Sequence, residues 1–427
     1  MGDLPGELEV TVQKAVYRGQ GLARHQGQVV LVERGLPGER VRVAVRSRER
    51  GFLRGEVTAV LAPSPERRES PCRFFERCGG CAYQALDYDA QLRLKQAVLR
   101  ESLTRSGVEW SEEIDVAPSP ERGWRSRARL HLALAGSQVS VGFLESGSRR
   151  IVDVAECLQV SDAMLRAARG LGRALGRLPG LARGVSAVSL AESGDGSRLV
   201  AALETRLGAT ESGRLASLGE EVPWLSGLGA ELDGRFVLLS GEASVETDVE
   251  GVRLRAHVRS FFQANRFLVG ALVRAVAAEL PAGASVLDLY AGVGLFALAA
   301  ARRAGDVTAV EESPQAAADA RWNARAHRDR AVRIVGGEAA AELRHWRPGP
   351  GPVVVLDPPR TGLGQGVLEG VVSRRPDRIV YVSCDPPTLG RDLRRFAERG
   401  YALKRLRALD MFPDTFHVES VAALEPV

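Results

Sequence analysis

The chain has 427 residues, 45% of them hydrophobic, and a formal net charge of +5 with a pI near 9.1. That length accommodates two or three domains, and the mild basicity permits a nucleic-acid partner without demanding one. No run approaches the roughly 18 apolar residues of a membrane span. The opening MGDLPGELEV has no apolar signal core, so a cytoplasmic location is expected. An odd cysteine count without a signal segment argues against a disulfide framework.

In chain order, residues 7–61 read as short strands. ELEVTVQKAV, GQVVLVERG, ERVRVAVRSRE and FLRGEVTAVL are β-branched or alternating, with Gly and Pro turns between them. A small β-barrel of four or five strands is expected. In ERVRVAVR the valines at 41, 43 and 45 share one parity and Arg40, Arg42 and Arg46 the other. Period 2 puts the valines inside and the arginines outside, on a solvated face or one that meets phosphates. APSPERRESP at 62–71 has the composition of a linker, and a helical stretch follows the cysteines at about 85–106. WRSRARLHLAL at 124–134 opens a region rich in strands, with Arg125, Arg127 and Arg129 on one strand face as a second candidate phosphate surface. Residues 161–180 look helical, and strands return toward 250.

From about 260 the pattern changes. A helix over 264–279 precedes strands at 285–289, 307–311, 332–335, 352–356 and 378–383, each followed by a helical segment. That alternation predicts a doubly wound α/β unit with a largely parallel sheet. Strands at 401–409 and 417–424 fit an edge hairpin.

Three constellations carry chemistry. In DLYAGVGLF a strand ends in a turn with Gly292 and Gly294 and a helix begins. The glycines let a ligand approach the backbone, and Glu311 at the next strand end suits the hydroxyls of a ribose. D-x-x-x-G-x-G is not the dinucleotide fingerprint; with that acidic strand end it points to S-adenosylmethionine. Asp357, in LDPPR, ends another strand at the same edge. Cys384, in YVSCDPPTLGRD, stands at a strand end as a candidate nucleophile, with Arg391 a candidate stabiliser of its thiolate. His417 and Glu419, in DMFPDTFHVES, share a parity, and either suits a base. The remaining cysteines, Cys72, Cys78, Cys81 and Cys157, are spaced as ligands of one metal centre. Four thiolates serve zinc and an iron–sulfur cluster alike, and the spacing does not choose between them.

FFQANRF at 261–267, DLYAGVGLF, LDPPRTG, YVSCDPPTLGRD and DMFPDTFHVES occur in the order found in the S-adenosylmethionine-dependent RNA 5-methyluridine methyltransferases. CRFFERCGGCAYQ at 72–84 is similar to the cluster motif of that family. The chain resembles the family over essentially its whole length. The resemblance implies an α/β Rossmann-like class I methyltransferase domain at 256–427. It implies a small OB-like TRAM barrel at 1–62 and a central α+β iron–sulfur domain at 63–255, whose helical stretch 87–118 packs on the catalytic domain. It makes Cys384 the nucleophile and Glu419 the proton acceptor. It places Gln263, Tyr290, Gly292, Gly294, Glu311, Glu338 and Asp357 at the S-adenosyl-L-methionine site, and Cys72, Cys78, Cys81 and Cys157 around a 4Fe-4S cluster. Leu295 departs from relatives that carry a polar residue there. The implied reaction is methyl transfer to C5 of a uridine through a covalent cysteine adduct at C6, on RNA that is 23S rRNA by preference or tRNA. No obligate protein partner is inferred, and a monomer is expected. The competing readings are a cytosine-specific methyltransferase, disfavoured by DMFPDTFHVE, a redox enzyme, and a non-catalytic RNA-binding or chaperone protein.

Overall fold

Valine alternation builds the first unit. A computed structural model describes residues 6–136, 138–327 and 331–427. In it, β1 (Glu7–Val16), β2 (Gln20–His25), β3 (Gln28–Glu33), β4 (Arg40–Glu49) and β5 (Phe52–Ala62) close a barrel in the order β1-β2-β3-β5-β4. Val41 and Val43 are fully buried beside Val10, Val30, Val32 and Leu53, as the period-2 pattern requires. Arg40, Arg42 and Arg46 stand outside. Closure removes the free strand edges that would invite further pairing.

The central sheet holds seven strands. After α1 (Tyr88–Arg105) and β6 (Val116–Ala117) come β7 (Arg127–Ala135), β8 (Gln138–Leu144) and β9 (Ile151–Asp153). Then follow α2 (Asp162–Gly176), α3 (Pro179–Ala182), β10 (Val185–Glu192), β11 (Leu199–Thr205), α4 (Ser212–Ala216), β12 (Gly227–Leu232) and β13 (Arg235–Gly241). The sheet order is β13-β12-β11-β10-β7-β8-β9. Helix α2 starts where the Ser161 side chain accepts from the Met164 amide, a serine N-cap, and buries Met164, Leu165, Leu171 and Leu175 against the sheet.

The third unit contains β14 (Ser244–Val249), β15 (Val252–His257), α5 (Val269–Ala277), β16 (Ser285–Leu289), α6 (Leu295–Ala300), β17 (Asp306–Glu311), α7 (Pro314–Ala326) and β18 (Val332–Gly336). It continues through α8 (Ala339–Leu343), β19 (Val353–Leu356), α9 (Gln365–Ser373), β20 (Arg378–Ser383), α10 (Pro386–Ala397), β21 (Tyr401–Leu409) and β22 (Glu419–Pro426). Its sheet runs β18-β17-β16-β19-β20-β22-β21-β6, parallel from β18 to β20. VVVL of β19 and IVYVS of β20 are buried throughout, because helices cover both faces of such a sheet. β22 enters antiparallel between β20 and β21.

Two expectations need correction. The helix expected within 87–118 ends at Arg105, and Val116–Ala117 instead form a strand that pairs with Ala408 and Leu409 at the sheet edge. The boundary drawn at 255/256 falls inside β15. The β14–β15 hairpin shares the core of the third unit, through Val249, Val252, Leu254 and Ala256. The eight-stranded sheet therefore takes elements from both sides of the central sheet in sequence. Gly390 allows the α1–α10 approach, since a Cβ there would stand 2.5 Å from Ser106 Oγ.

One ion pair ties α1 to this unit. Lys95 Nζ donates to Asp410 Oδ1 at 2.5 Å, and the two side chains are 1% and 0% exposed. Removing one partner leaves the other charge buried. Lys95→Met is expected to destabilise the protein by about 3–5 kcal/mol in denaturant unfolding, whereas Lys95→Met with Asp410→Leu recovers much of that loss. Equal losses in the single and double variants would contradict this account.

Candidate active site and four-cysteine centre

The C-terminal ends of the parallel strands gather the site. β16 ends at Leu289, and the chain then turns through Tyr290 (φ 64°), Gly292 (φ 56°) and Gly294 (φ 89°). All three are left-handed, a conformation glycine takes freely and tyrosine rarely. A Cβ on Gly292 would meet only the Phe261 carbonyl, at 3.8 Å, so the turn faces open space. Glu311, ending β17, spans this turn: one carboxylate oxygen accepts from the Gly292 amide and the other from Ser313, both at 2.8 Å. Each oxygen keeps acceptor capacity for a ligand hydroxyl. Glu338 lies exposed beside it, before α8, where the Gly337 amide reaches the Glu311 carbonyl at 3.0 Å.

Asp357 directly follows β19, and its Oδ2 accepts from Gln263 Nε2 at 3.2 Å. Burial pushes its carboxyl up to about 7, against the pull of Gln263. Helix α7 holds Gln263's segment and the glycine turn in one frame. Asn323 Nδ2 donates to the Val293 and Arg255 carbonyls at 2.9 Å each, and Asp319 accepts from the His257 amide at 2.8 Å and Ser260 Oγ at 2.6 Å. Asp288 opens D-x-x-x-G-x-G, but the sequence gives it no sign of a role apart from the glycines. Fully buried, it accepts from the Ala297 amide at 2.9 Å and so ties β16 to α6, and burial raises its carboxyl well above the usual range. Leu295 is buried in the core of the α/β unit.

Cys384 follows β20, half-buried. β22 pairs beside β20 with Ser383 opposite Ser420, so Glu419 lies next to Cys384 across the ladder. Glu419 is 2% exposed. Burial, with the Asp357 charge, raises its carboxyl well above the usual range, and Arg360 opposes this. Burial pushes the Cys384 thiol up to about 12, helped by the Glu419 and Asp357 charges and opposed by Arg360, which hydrogen-bonds it. The expected thiolate partner, Arg391, is engaged elsewhere: it donates to Asp392 and to the Thr361 carbonyl. Asp392 in turn accepts from the Leu363 amide at 2.8 Å and Tyr381 Oη at 2.9 Å, which fixes the loop bearing Arg360. Arg360 closes LDPPR, the motif that carries Asp357. Tyr290 is half-buried, and burial raises its phenol to about 12.

His417 Nδ1 lies 3.3 Å from the Cys384 carbonyl, and burial and Arg360 lower the imidazole to about 4, so it is neutral at pH 7. The barrel reaches this corner as well: Tyr17 Oη donates to Asp385 Oδ2 at 2.7 Å, and its ring meets Phe416 edge-on at 5.3 Å.

A second cavity opens beside the first site. Cys72, Cys78, Cys81 and Cys157 line one space of about 270 Å³, with Phe74, Phe143 and Arg125. N–H groups face the sulfurs: the Gly80 amide is 3.4 Å from Cys78 Sγ and Gln84 Nε2 is 3.4 Å from Cys81 Sγ, while the Gln159 and Val160 amides reach Cys157. Among the described residues, no three His, Cys, Asp or Glu are arranged to hold a single metal ion.

The arginine surface differs from expectation. Arg42 pairs with Glu9 at 3.1 Å, Arg46 with Glu56 at 3.2 Å, and Arg129 with Glu204 at 2.6 Å; Arg40 is simply exposed. Arg127 turns inward and donates to the carbonyls of Ala256, His257, Val258 and Ser260, which takes it away from any phosphate. Strand parity alone does not reveal an inward guanidinium that feeds four carbonyls. Arg125 lies over Trp124 at 4.3 Å and faces a cavity of about 320 Å³. Arg18, Arg34, Arg360, Phe416 and His417 share that cavity, between the barrel, the cysteine loop and the loop before β22. A larger space of about 1080 Å³, near Arg198, Arg253 and Trp322, lies away from these groups.

A glycine turn, acidic strand ends and a thiol–carboxylate pair at the mouth of a Rossmann-like sheet define a methyltransferase-type site, here joined to a small barrel. Residues 351–427 match the family model described as tRNA (Uracil-5-)-methyltransferase, and residues 6–58 match the TRAM domain. An RNA methyltransferase of Streptomyces avermitilis is 35% identical, over 98% of this chain and 98% of its own. One of Aquifex aeolicus is 32% identical, over 100% and 99%. The tRNA (uracil-54, C5)-methyltransferase of Pyrococcus abyssi, solved with S-adenosyl-L-homocysteine, is 26% identical. It superposes with a TM-score of 0.75 over 97% of this chain and 99% of that one. The chain belongs to the RNA methyltransferase family, with a C-terminal part of the tRNA (uracil-5-)-methyltransferase kind and an N-terminal TRAM barrel.

Proposed function

We propose that the protein transfers a methyl group from S-adenosyl-L-methionine to C5 of a uridine in RNA, through a covalent adduct between Cys384 and C6. The observation that carries this is the register that sets Glu419 beside Cys384, with Arg360 on the thiol. Uracil C5 is a weak nucleophile. Cys384 adds to C6 as the thiolate, its proton having passed to water, and the addition moves electron density to C5 and O4. S-Adenosylmethionine, which Glu311, Asp357, Gln263, Tyr290, Glu338 and the Gly292–Gly294 turn would hold, supplies the methyl group that C5 takes; its S–CH3 bond breaks and the electron pair leaves on S-adenosylhomocysteine. Glu419 then accepts the C5 proton, the Cys384–C6 bond breaks, and its electron pair returns to sulfur as the C5–C6 double bond reforms. Burial raises the Glu419 carboxyl, which makes its carboxylate a stronger base.

The uridine must leave its stack to reach Cys384. The basic cavity at Arg18, Arg34, Arg125 and Arg360 offers phosphate partners on that route. The four cysteines are read as ligands of a 4Fe-4S cluster. They line a common cavity without closing on one point, which fits a polynuclear group better than a lone zinc ion, and N–H donors to sulfur favour thiolates. Methyl transfer needs no electron, so its assigned part is structural. 23S rRNA is the first substrate proposed, on the resemblance of the barrel and cysteine segment to bacterial rRNA enzymes. The likeness to the Pyrococcus abyssi enzyme favours tRNA as the second. Action in the cytoplasm as a monomer completes the reading. Among the described residues no helix is long and apolar enough to cross a membrane.

The test is anaerobic incubation with labelled S-adenosylmethionine and unmodified 23S rRNA or tRNA, followed by nucleoside mapping by mass spectrometry. 5-Methyluridine at one position supports the reading, and labelling of tRNA alone transfers it to that substrate. Label at a cytosine, or in neither RNA, would overturn it.

The resting thiol supplies a further expectation. With its pKa near 12, the Cys384 thiolate fraction rises tenfold per pH unit through the neutral range. Alkylation by iodoacetamide should climb with that slope from about pH 7 to 9, without a plateau. Arg360→Ala removes the charge that lowers this pKa, so alkylation at a given pH should slow. Peptide mass spectrometry reads the site, and a plateau near pH 7 would contradict the buried-thiol account.

A further inference from the structure

We propose that Asp414 is a positioning residue that clasps the four-cysteine segment to the loop carrying His417 and Glu419, so that filling the cysteine centre and holding the base become one coupled event. The proposal rests on reading the four cysteines as metal ligands. Asp414 is 2% exposed and left-handed, with φ 65°. Three glutamines from separate segments converge on its carboxylate. Gln159 Nε2 donates to Oδ2 at 2.7 Å, Gln84 Nε2 to the same oxygen at 3.3 Å, and Gln91 Nε2 to Oδ1 at 3.0 Å. Its main chain is held from the same side: its carbonyl accepts from the Ala82 and Tyr83 amides at 2.8 Å each, and its amide donates to Gln91 Oε1 at 3.0 Å.

Where those partners sit matters most. Ala82 and Tyr83 directly follow Cys81. Gln84 Nε2 lies between Asp414 and Cys81 Sγ, 3.3 and 3.4 Å away. Gln159 follows Cys157 by two residues, and its own amide faces that sulfur. Any group that draws Cys81 and Cys157 together therefore fixes the donors that fix Asp414. On the other side the loop is short and braced. Lys95 Nζ holds the Phe412 carbonyl at 2.9 Å, Thr415 Oγ1 donates to the same carbonyl at 2.9 Å, and β22 starts at Glu419. An error at Asp414 has little slack to absorb it before the base. Binding at one end and order at the other are linked in both directions. Loosening the clasp should release metal as well as slow turnover.

The test uses the full chain purified anaerobically, as wild type, Asp414→Asn and Gln159→Ala. Asparagine replaces one acceptor oxygen with a donor that faces amide donors. Gln159→Ala leaves the loop and its charge intact, which guards against misfolding of the first variant. Iron content, the rate of metal release to a chelator, kcat on whichever of 23S rRNA and tRNA transcripts the wild type labels, and the Kd for S-adenosylmethionine are measured. Both variants should release metal about tenfold faster and lose about tenfold in kcat, the usual scale for residues behind metal ligands, with the Kd unchanged. Unchanged release with unchanged kcat, or a change in only one of them, would overturn the coupling. A wild type that binds no metal and still methylates would sink the reading of the cysteines, and the coupling with it.

Discussion

Replacing Cys384 with alanine is expected to abolish methyl transfer, by roughly 10,000-fold or more, the scale seen when a covalent nucleophile is removed. The fold should survive, because the side chain is half-buried at a strand end and β20 keeps its pairing with β19 and β22. Affinity for S-adenosylmethionine should also survive, since the glycine turn, Glu311 and Asp357 lie on other strands. The measurement is single-turnover incorporation of labelled methyl, run beside a direct binding assay. Loss of transfer with retained binding identifies a chemical role. Activity within tenfold of wild type would mean that C5 is activated without the thiol, and the covalent route would fall.

Glu419→Gln should fail later on the same path. Glutamine is nearly isosteric but accepts no proton, so addition at C6 and methylation at C5 proceed and the elimination does not. A protein–RNA species that persists in denaturing gels is expected to accumulate, with turnover reduced by roughly 100- to 10,000-fold. A second effect has a fixed sign. The Glu419 charge raises the Cys384 thiol. Removing it should lower the thiol pKa and speed alkylation of the free enzyme, the reverse of Arg360→Ala. Slow turnover without a trapped species would place Glu419 before the methyl transfer and reopen the part of neutral His417.

Much of the fold was legible because parallel strands buried on both faces read as apolar runs. SVLDL, VVVL and RIVYVS were placed within a residue or two of their observed ends. The barrel was legible from alternation in ERVRVAVR. The pairing of Ala117 with Leu409 was not, because a two-residue strand has no period. Nor was the membership of the β14–β15 hairpin, since alternation marks a strand without saying which core it covers. At the site, residues at strand ends came out of the sequence because topology sends every parallel strand end to one edge. Asp414 did not, because its partners lie far away in the chain. Arg127 shows the opposite error: a period-2 face predicts exposure, yet a long side chain can fold back to carbonyls the alternation does not report.

The Lys95–Asp410 pair has a consequence for how the molecule is born. Its partners are 315 residues apart, and Gln91 and Asp414 are 323 apart. Helix α1 is synthesised early, but the groups that neutralise and cover it arrive only after the whole central sheet has been made. Until then its lysine has neither of its native acceptors, Asp410 and the Phe412 carbonyl. Contacts this distant in sequence slow the final assembly and lengthen the time a chain is open to aggregation or proteolysis. The central sheet, with β7 to β13 contained in one stretch, should gain protection in pulsed hydrogen exchange first, and α1 should gain it together with β21 and β22, near the end.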